Sequence, residues 1–114
     1  MGLELLAIED LADSGKGFRM LRLKGPILVS NLFDFQARVR SNTSPGLILD
    51  LTEVPYIDSA GVGALVGAYI NHQKDGRSLW LVGASDRIRN TLRITQVESF
   101  FRFFDSPAAI QKAA

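Results

Sequence analysis

Residues 47–67 read Leu47-Ile48-Leu49-Asp50-Leu51-Thr52-Glu53-Val54-Pro55-Tyr56-Ile57-Asp58-Ser59-Ala60-Gly61-Val62-Gly63-Ala64-Leu65-Val66-Gly67. The first five form a compact apolar run, the pattern of a strand covered on both faces in a parallel sheet. Thr52 to Asp58 is irregular, because Pro55 blocks early helix formation. From Ser59 the spacing predicts a helix to about Lys74, with Gly61, Gly63, Ala64, Gly67 and Ala68 keeping its first half small. Each glycine costs about 1 kcal/mol of helix stability relative to alanine. Three of them suggest close approach by a neighbouring backbone or a partner. A serine at a helix start lies among unpaired backbone N–H groups and at the positive end of the helix dipole, a setting that also accommodates a phosphate. Ser59 therefore reads either as a cap or as a hydroxyl that gains and loses phosphate, and Asp58 as a cap or turn residue beside it.

Outward from this stretch, strands and helices alternate. Leu3 to Ile8 reads as an edge strand, Asp10 to Gly17 as a hairpin turn and Phe18 to Lys24 as a second strand ended by Gly25-Pro26. Ser30 or Asn31 can cap a helix to about Arg40, with Leu32, Phe35 and Val39 on one face. After the long helix, Asp75-Gly76 is a stop, and Leu79-Trp80-Leu81-Val82 is a buried strand ended by Gly83. Ser85 or Asp86 opens a third helix with Ile88, Leu92 and Thr95 facing inward. Phe100 to Phe104 reads as a last strand, and Ser106-Pro107 as the start of a short terminal helix. The order β-β-α-β-α-β-α-β-α predicts a single α/β domain over 1–114, with a mixed, mostly parallel sheet of 4–5 strands and about four helices.

Composition narrows the function. The chain has 114 residues, enough for one core, with 46% hydrophobic and 22% charged residues. Thirteen Lys and Arg against twelve Asp and Glu leave a net charge of +1, which gives no drive toward nucleic acid or anionic membrane. There is no cysteine, which removes disulfides, thiolate nucleophiles and Cys-based metal sites and fits a reducing compartment. No apolar stretch is long enough to span a bilayer, and Met1-Gly2-Leu3-Glu4 does not open a signal peptide, so the expected location is the cytoplasm.

The strand, the loop and Asp58-Ser59-Ala60-Gly61-Val62-Gly63 resemble the signature of the STAS family, which includes bacterial anti-sigma factor antagonists. Asp75-Gly76, the Leu79–Gly83 strand, the Arg-rich helix and the Phe-rich strand resemble the second half of that family. The resemblance covers nearly the whole chain. It implies a protein-binding module without catalytic residues, metal or cofactor. Its partners would be an anti-sigma factor serine kinase and a phosphatase. By position, Ser59 would be the phosphorylated residue, and Asp58, Ser59, Ala60, Gly61, Val62 and Gly63 the partner-binding segment. One departure stands out. Many antagonists carry an acid in a Gly-Glu-Leu-Asp-like turn after the second strand, whereas Gly25-Pro26-Ile27-Leu28-Val29 has none. It leaves open a non-switching STAS subunit of a stressosome-like scaffold or of an ABC lipid-transporter complex.

Other chemistries fit poorly. The Gly61-Val62-Gly63…Gly67 spacing is one residue too long for a dinucleotide loop and does not follow a strand directly, and no phosphate-binding G-x-x-x-x-G-K-[ST] occurs. His72 lies on the same predicted helix as Ser59, about 20 Å along it, which excludes a Ser–His pair. It reads as a surface residue. Asp50, Glu53 and Asp58 read as solvated loop acids before they read as a cation site. Arg87, Arg89, Arg93 and Arg102 read as a solvated basic face or a patch for an acidic partner. Trp80 and the Phe100–Phe104 aromatics read as core, with some phenylalanines exposed by alternation and available to a homodimer or partner surface.

Overall fold

The computed structural model describes residues 5–12 and 17–113. Its strands are β1 (Ala7–Ala12), β2 (Arg19–Lys24), β3 (Gly46–Glu53), β4 (Ser78–Val82) and β5 (Phe103–Phe104). Its helices are α1 (Phe33–Ser41), α2 (Ser59–Lys74), α3 (Asp86–Ile94) and α4 (Pro107–Ala113). The sheet order is β1-β2-β3-β4-β5, so each strand lies beside its neighbour in sequence. β1 runs antiparallel to β2, and every later pairing is parallel. Parallel neighbours need long crossovers, and α1, α2 and α3 supply them.

Strand alternation divides the core. Leu47, Leu49 and Leu51 of β3, with Leu21, Leu23, Leu79 and Leu81, meet Phe35, Val39, Val62, Leu65, Ile88 and Leu92 of the first three helices. Ile48, Trp80 and Val82 face the other way and meet Ile110 of α4. Asp50 shares that second face. It is buried and is no solvated loop acid. Arg22 Nε donates to its Oδ2 at 3.2 Å, and the N–H and hydroxyl of Thr52 donate to its Oδ1 at 3.0 and 2.6 Å. Burial pushes this carboxyl up, but the bonds from Thr52 and Arg22 outweigh it and hold it below the usual carboxylate range.

Several expectations need correction. β1 continues through Asp10 to Ala12, because Asp10, Leu11 and Ala12 pair with Leu21, Met20 and Arg19 in the ladder and the Asp10 carboxylate reaches Arg19 on the diagonal. The other ends of the predicted edge strand and turn, Leu3, Glu4, Asp13, Ser14 and Gly15, lie outside the described residues. Neither Ser30 nor Asn31 caps α1, whose first flanking residue is Leu32 and which has no side-chain cap. Thr95 is exposed at the end of α3, and its hydroxyl donates to Thr91 O at 2.8 Å. Phe100 ends a single 3-10 turn, Glu98–Phe100, so the last strand shrinks to two residues. The arginines are not merely solvated. Arg87, Arg89 and Arg102 lie over the rings of Tyr56, Phe103 and Phe104 at 5.0, 4.3 and 5.4 Å, and Arg93 pairs with Glu98 at 3.3 Å.

The largest correction is His72, which is 1% exposed. Its Nδ1 lies 2.9 Å from Ala68 O, one turn back, and its Nε2 lies 3.1 Å from Asn42 Nδ2. Asn42 Oδ1 already accepts from the Ser44 hydroxyl at 2.9 Å, so the amide nitrogen faces the ring. The ring is therefore neutral, with Nδ1–H donating and Nε2 accepting. A second proton would set two donors against each other. Burial, with Arg77 nearby, lowers the His72 pKa below the ordinary 6.5, although the bond to Ala68 and the charge of Asp75 pull the other way. The unfolded chain then takes up this proton before the folded one does. Stability is full above about pH 6.5 and falls as the pH drops toward the folded value. Urea unfolding at pH 7.5 and 5.5 should show the wild type losing stability at the lower pH, and His72→Gln losing measurably less over the same window.

Candidate functional site

The start of α2 is built by one carboxylate. Asp58, not Ser59, is the N-cap: its backbone is extended, and its Oδ1 accepts the Gly61 N–H at 2.8 Å. Its Oδ2 accepts the Val29 N–H at 3.0 Å from the connection between β2 and α1. The two segments are zipped further. Gly25 N–H donates to Glu53 O at 3.0 Å, Ile27 N–H to Tyr56 O at 3.3 Å and Asp58 N–H to Ile27 O at 3.2 Å. Asn31 closes the far side of this connection. Its Oδ1 accepts from Leu28 N–H, and its Nδ2 donates to Pro26 O, each at 2.9 Å.

Ser59 is left as the first residue of the helix, exposed and without a hydrogen bond among the described residues. The glycines beside it divide by environment. A Cβ on Gly61 would sit 2.4 Å from Ile27 O, so this glycine answers a backbone approach. Gly63 and Gly67 have nothing within 4 Å of a Cβ, so of the two expected causes, a neighbouring backbone or a partner, the backbone accounts for Gly61 alone. They share a face with Ser59 by i+4 spacing. A shallow cleft of about 100 Å³ lies between that face and Phe35, Val39 and Arg40 of α1.

Of the six residues singled out by sequence, Asp58, Ser59, Ala60 and Gly63 are at least partly exposed, whereas Gly61 and Val62 are buried. Two exposed apolar residues were missed. Val29, whose N–H is held by Asp58, is 66% exposed, and Phe33 at the start of α1 is 76% exposed. A signal was present: Phe33 falls off the Leu32–Phe35–Val39 face, and Val29 is an apolar residue in a predicted turn. The three acids Asp50, Glu53 and Asp58 are not brought together. Asp50 holds Arg22, Glu53 lies 4.0 Å from Lys24, and Asp58 clamps backbone N–H groups. Among the described residues no group of three acids or histidines is placed to hold a metal, and no helix is long and apolar enough to cross a membrane.

The STAS domain family model matches residues 12–110. The chain belongs to the STAS domain family. One relative of this STAS domain is the anti-sigma-B factor antagonist of Listeria monocytogenes, 45% identical over 49 residues. That match spans 43% of this chain and 43% of the relative, less than half of its length. Among solved structures, the Bacillus cell fate determinant SpoIIAA in its phosphorylated form is 15% identical with a TM-score of 0.72, covering 95% of this chain and 100% of that one. The anti-sigma factor antagonist SpoIIAA in its unphosphorylated form has a TM-score of 0.75 at 15% identity, covering 94% and 96%. A sulfate transporter family protein from Wolinella succinogenes is 27% identical with a TM-score of 0.66, covering 81% and 80%. The likeness to SpoIIAA establishes the fold of the STAS domain, whose sheet and four helices it shares.

The two glycines separate packing from surface. Gly61→Ala should lower unfolding free energy by about 1–3 kcal/mol, because the Ile27 carbonyl cannot move without opening the clamp. Gly63→Ala should leave it unchanged or raise it by up to about 1 kcal/mol through helix propensity alone. Urea denaturation of both variants checks the contrast.

Proposed function

We propose that this STAS domain is an anti-sigma factor antagonist, a binding module switched by phosphorylation of Ser59. The observation that carries the reading is the division of labour at the start of α2. Asp58 does the capping, so the neighbouring hydroxyl is not needed by the fold and stands free in solvent. Unphosphorylated, the surface around Ser59, with exposed Val29 and Phe33, binds an anti-sigma factor kinase and so releases the sigma factor. Phosphorylation adds about −1.5 to −2 charge next to Asp58 and to this apolar surface, which repels a packed partner. The helix N-terminus meanwhile tolerates the same charge, so the domain does not unfold. A phosphatase resets the cycle. The name of the Listeria relative and the SpoIIAA folds support this reading.

A second reading is favoured by the acid-free turn Gly25–Val29 and by the likeness to the Wolinella transporter-family protein. It is a non-switching STAS subunit of a stressosome-like scaffold or lipid-transporter assembly. Incubation with the cognate kinase and ATP, followed by mass spectrometry, should place phosphate on Ser59. Ser59→Asp should weaken kinase binding by about tenfold or more, roughly 1.4 kcal/mol, while the melting temperature moves by less than about 2 °C. A protein that binds the kinase yet stays unmodified would remove the switch. Recovery of a transporter ATPase in place of a kinase would favour the second reading.

A further inference from the structure

β5 pairs with β4 only at Leu81 and Val82. Leu81 N–H donates to Arg102 O and Gly83 N–H to Phe104 O, each at 3.0 Å. Upstream the chain turns aside through Glu98–Phe100, so Ser78 to Trp80 have no strand on this side among the described residues. Strand backbone alternates in direction. Leu81 points its N–H and C=O toward β5 and Trp80 points its own toward β3, which leaves those of Leu79 facing the open side. A cleft of about 270 Å³ lies there. One wall is the Tyr69–Phe100 pair, stacked at 5.7 Å and 5°, with Phe100 44% exposed. The lining includes two arginines and no carboxylate. Arg77 is already engaged by Asp75 Oδ2 at 3.0 Å and by Asn42 O. Arg102 lies over the Phe104 ring and has no ion pair among the described residues.

We propose that this open half of the β4 edge is a docking groove for an extended, acidic segment of a partner protein. Such a segment adds as a short strand: its backbone pairs with the N–H and C=O of Leu79, an apolar side chain rests on the Tyr69–Phe100 wall, and a carboxylate meets Arg102. A helical segment cannot use the Leu79 groups, and a basic one meets two like charges. The groove sits beside Tyr69 and Gln73 in the second half of α2, about 15–21 Å along that helix from Ser59, so occupancy does not depend on the phosphorylation state.

The test uses the isotope-labelled full chain and the capped peptide Val-Glu-Phe-Glu-Val, with its lysine counterpart Val-Lys-Phe-Lys-Val. In the free protein the Leu79 amide should exchange with solvent faster than those of Trp80 and Leu81. The glutamate peptide should slow Leu79 exchange and shift the amides of Phe100 and Arg102. The lysine peptide should bind about tenfold more weakly, and Arg102→Glu should weaken the glutamate peptide by a similar factor. Phe100→Ala, at a half-exposed position, should also weaken it, while Ser59→Asp should leave it unchanged. Equal binding of the two peptides, or no change at Leu79 with millimolar glutamate peptide, would overturn the proposal. So would Leu79 protection that rises with protein concentration alone, since a second copy would then occupy the edge.

Discussion

The site depends on a carboxylate shared between two segments far apart in sequence. Asp58 gives one oxygen to the first turn of α2 and the other to the chain just before α1. Hydrogen bonds to a charged group contribute about 1.5–3 kcal/mol, more than neutral ones. Here two of them fix the position and direction of a long helix. The close contact of Gly61 with Ile27 follows, since only a residue without a Cβ lets the helix approach the clamped backbone. The parallel sheet delivers both segments to the same end of its strands: β2 and β3 run side by side, and the chain leaves each at that end.

This arrangement puts the residue that holds the fold, Asp58, next to the residue proposed as the switch, Ser59. Asp58 is tied into the backbone of both segments, whereas the Ser59 side chain makes no hydrogen bond among the described residues. A binding surface that must change its charge without refolding needs that separation. Apolar side chains standing in solvent at Val29 and Phe33 contribute little to the fold and suit a partner surface. The opposite end of α2 is treated differently. There His72 and Asn42 join the helix to the approach to β3, and Arg77 also holds the Asn42 carbonyl. The helix is thus pinned at both ends, while Gly63 and Gly67 between them border an open cleft with room for a Cβ.

Much of this was legible in the chain. The apolar run at Leu47–Leu51 announced a strand buried on both faces, and Asp58-Ser59 followed by a helical pattern marked the start of α2 at the observed residue. The order of elements followed from the same patterns. What escaped depended on contacts remote in sequence. His72 reads as a surface residue because a polar side chain late in a helix usually points outward; its partner Asn42 precedes it by 30 residues, before β3 in the chain. Asn31 resembled a cap, but its side chain closes the turn from Pro26 to Leu28 instead. Phe100 and Phe101 looked like strand because they are aromatic, yet both pack on Tyr69 and take the chain out of the ladder. Asp50 looked like a loop acid because nothing near it in sequence announces Arg22.

Whether Asp58 holds the two segments together can be read from amide hydrogen exchange at Val29 and Gly61 in the wild type and in Asp58→Ala. Both amides should be protected in the wild type and should lose protection together in the variant, while the amides of the middle of α2 keep theirs. Protection that survives at either residue in the variant would show that the two segments are held by something other than the shared carboxylate.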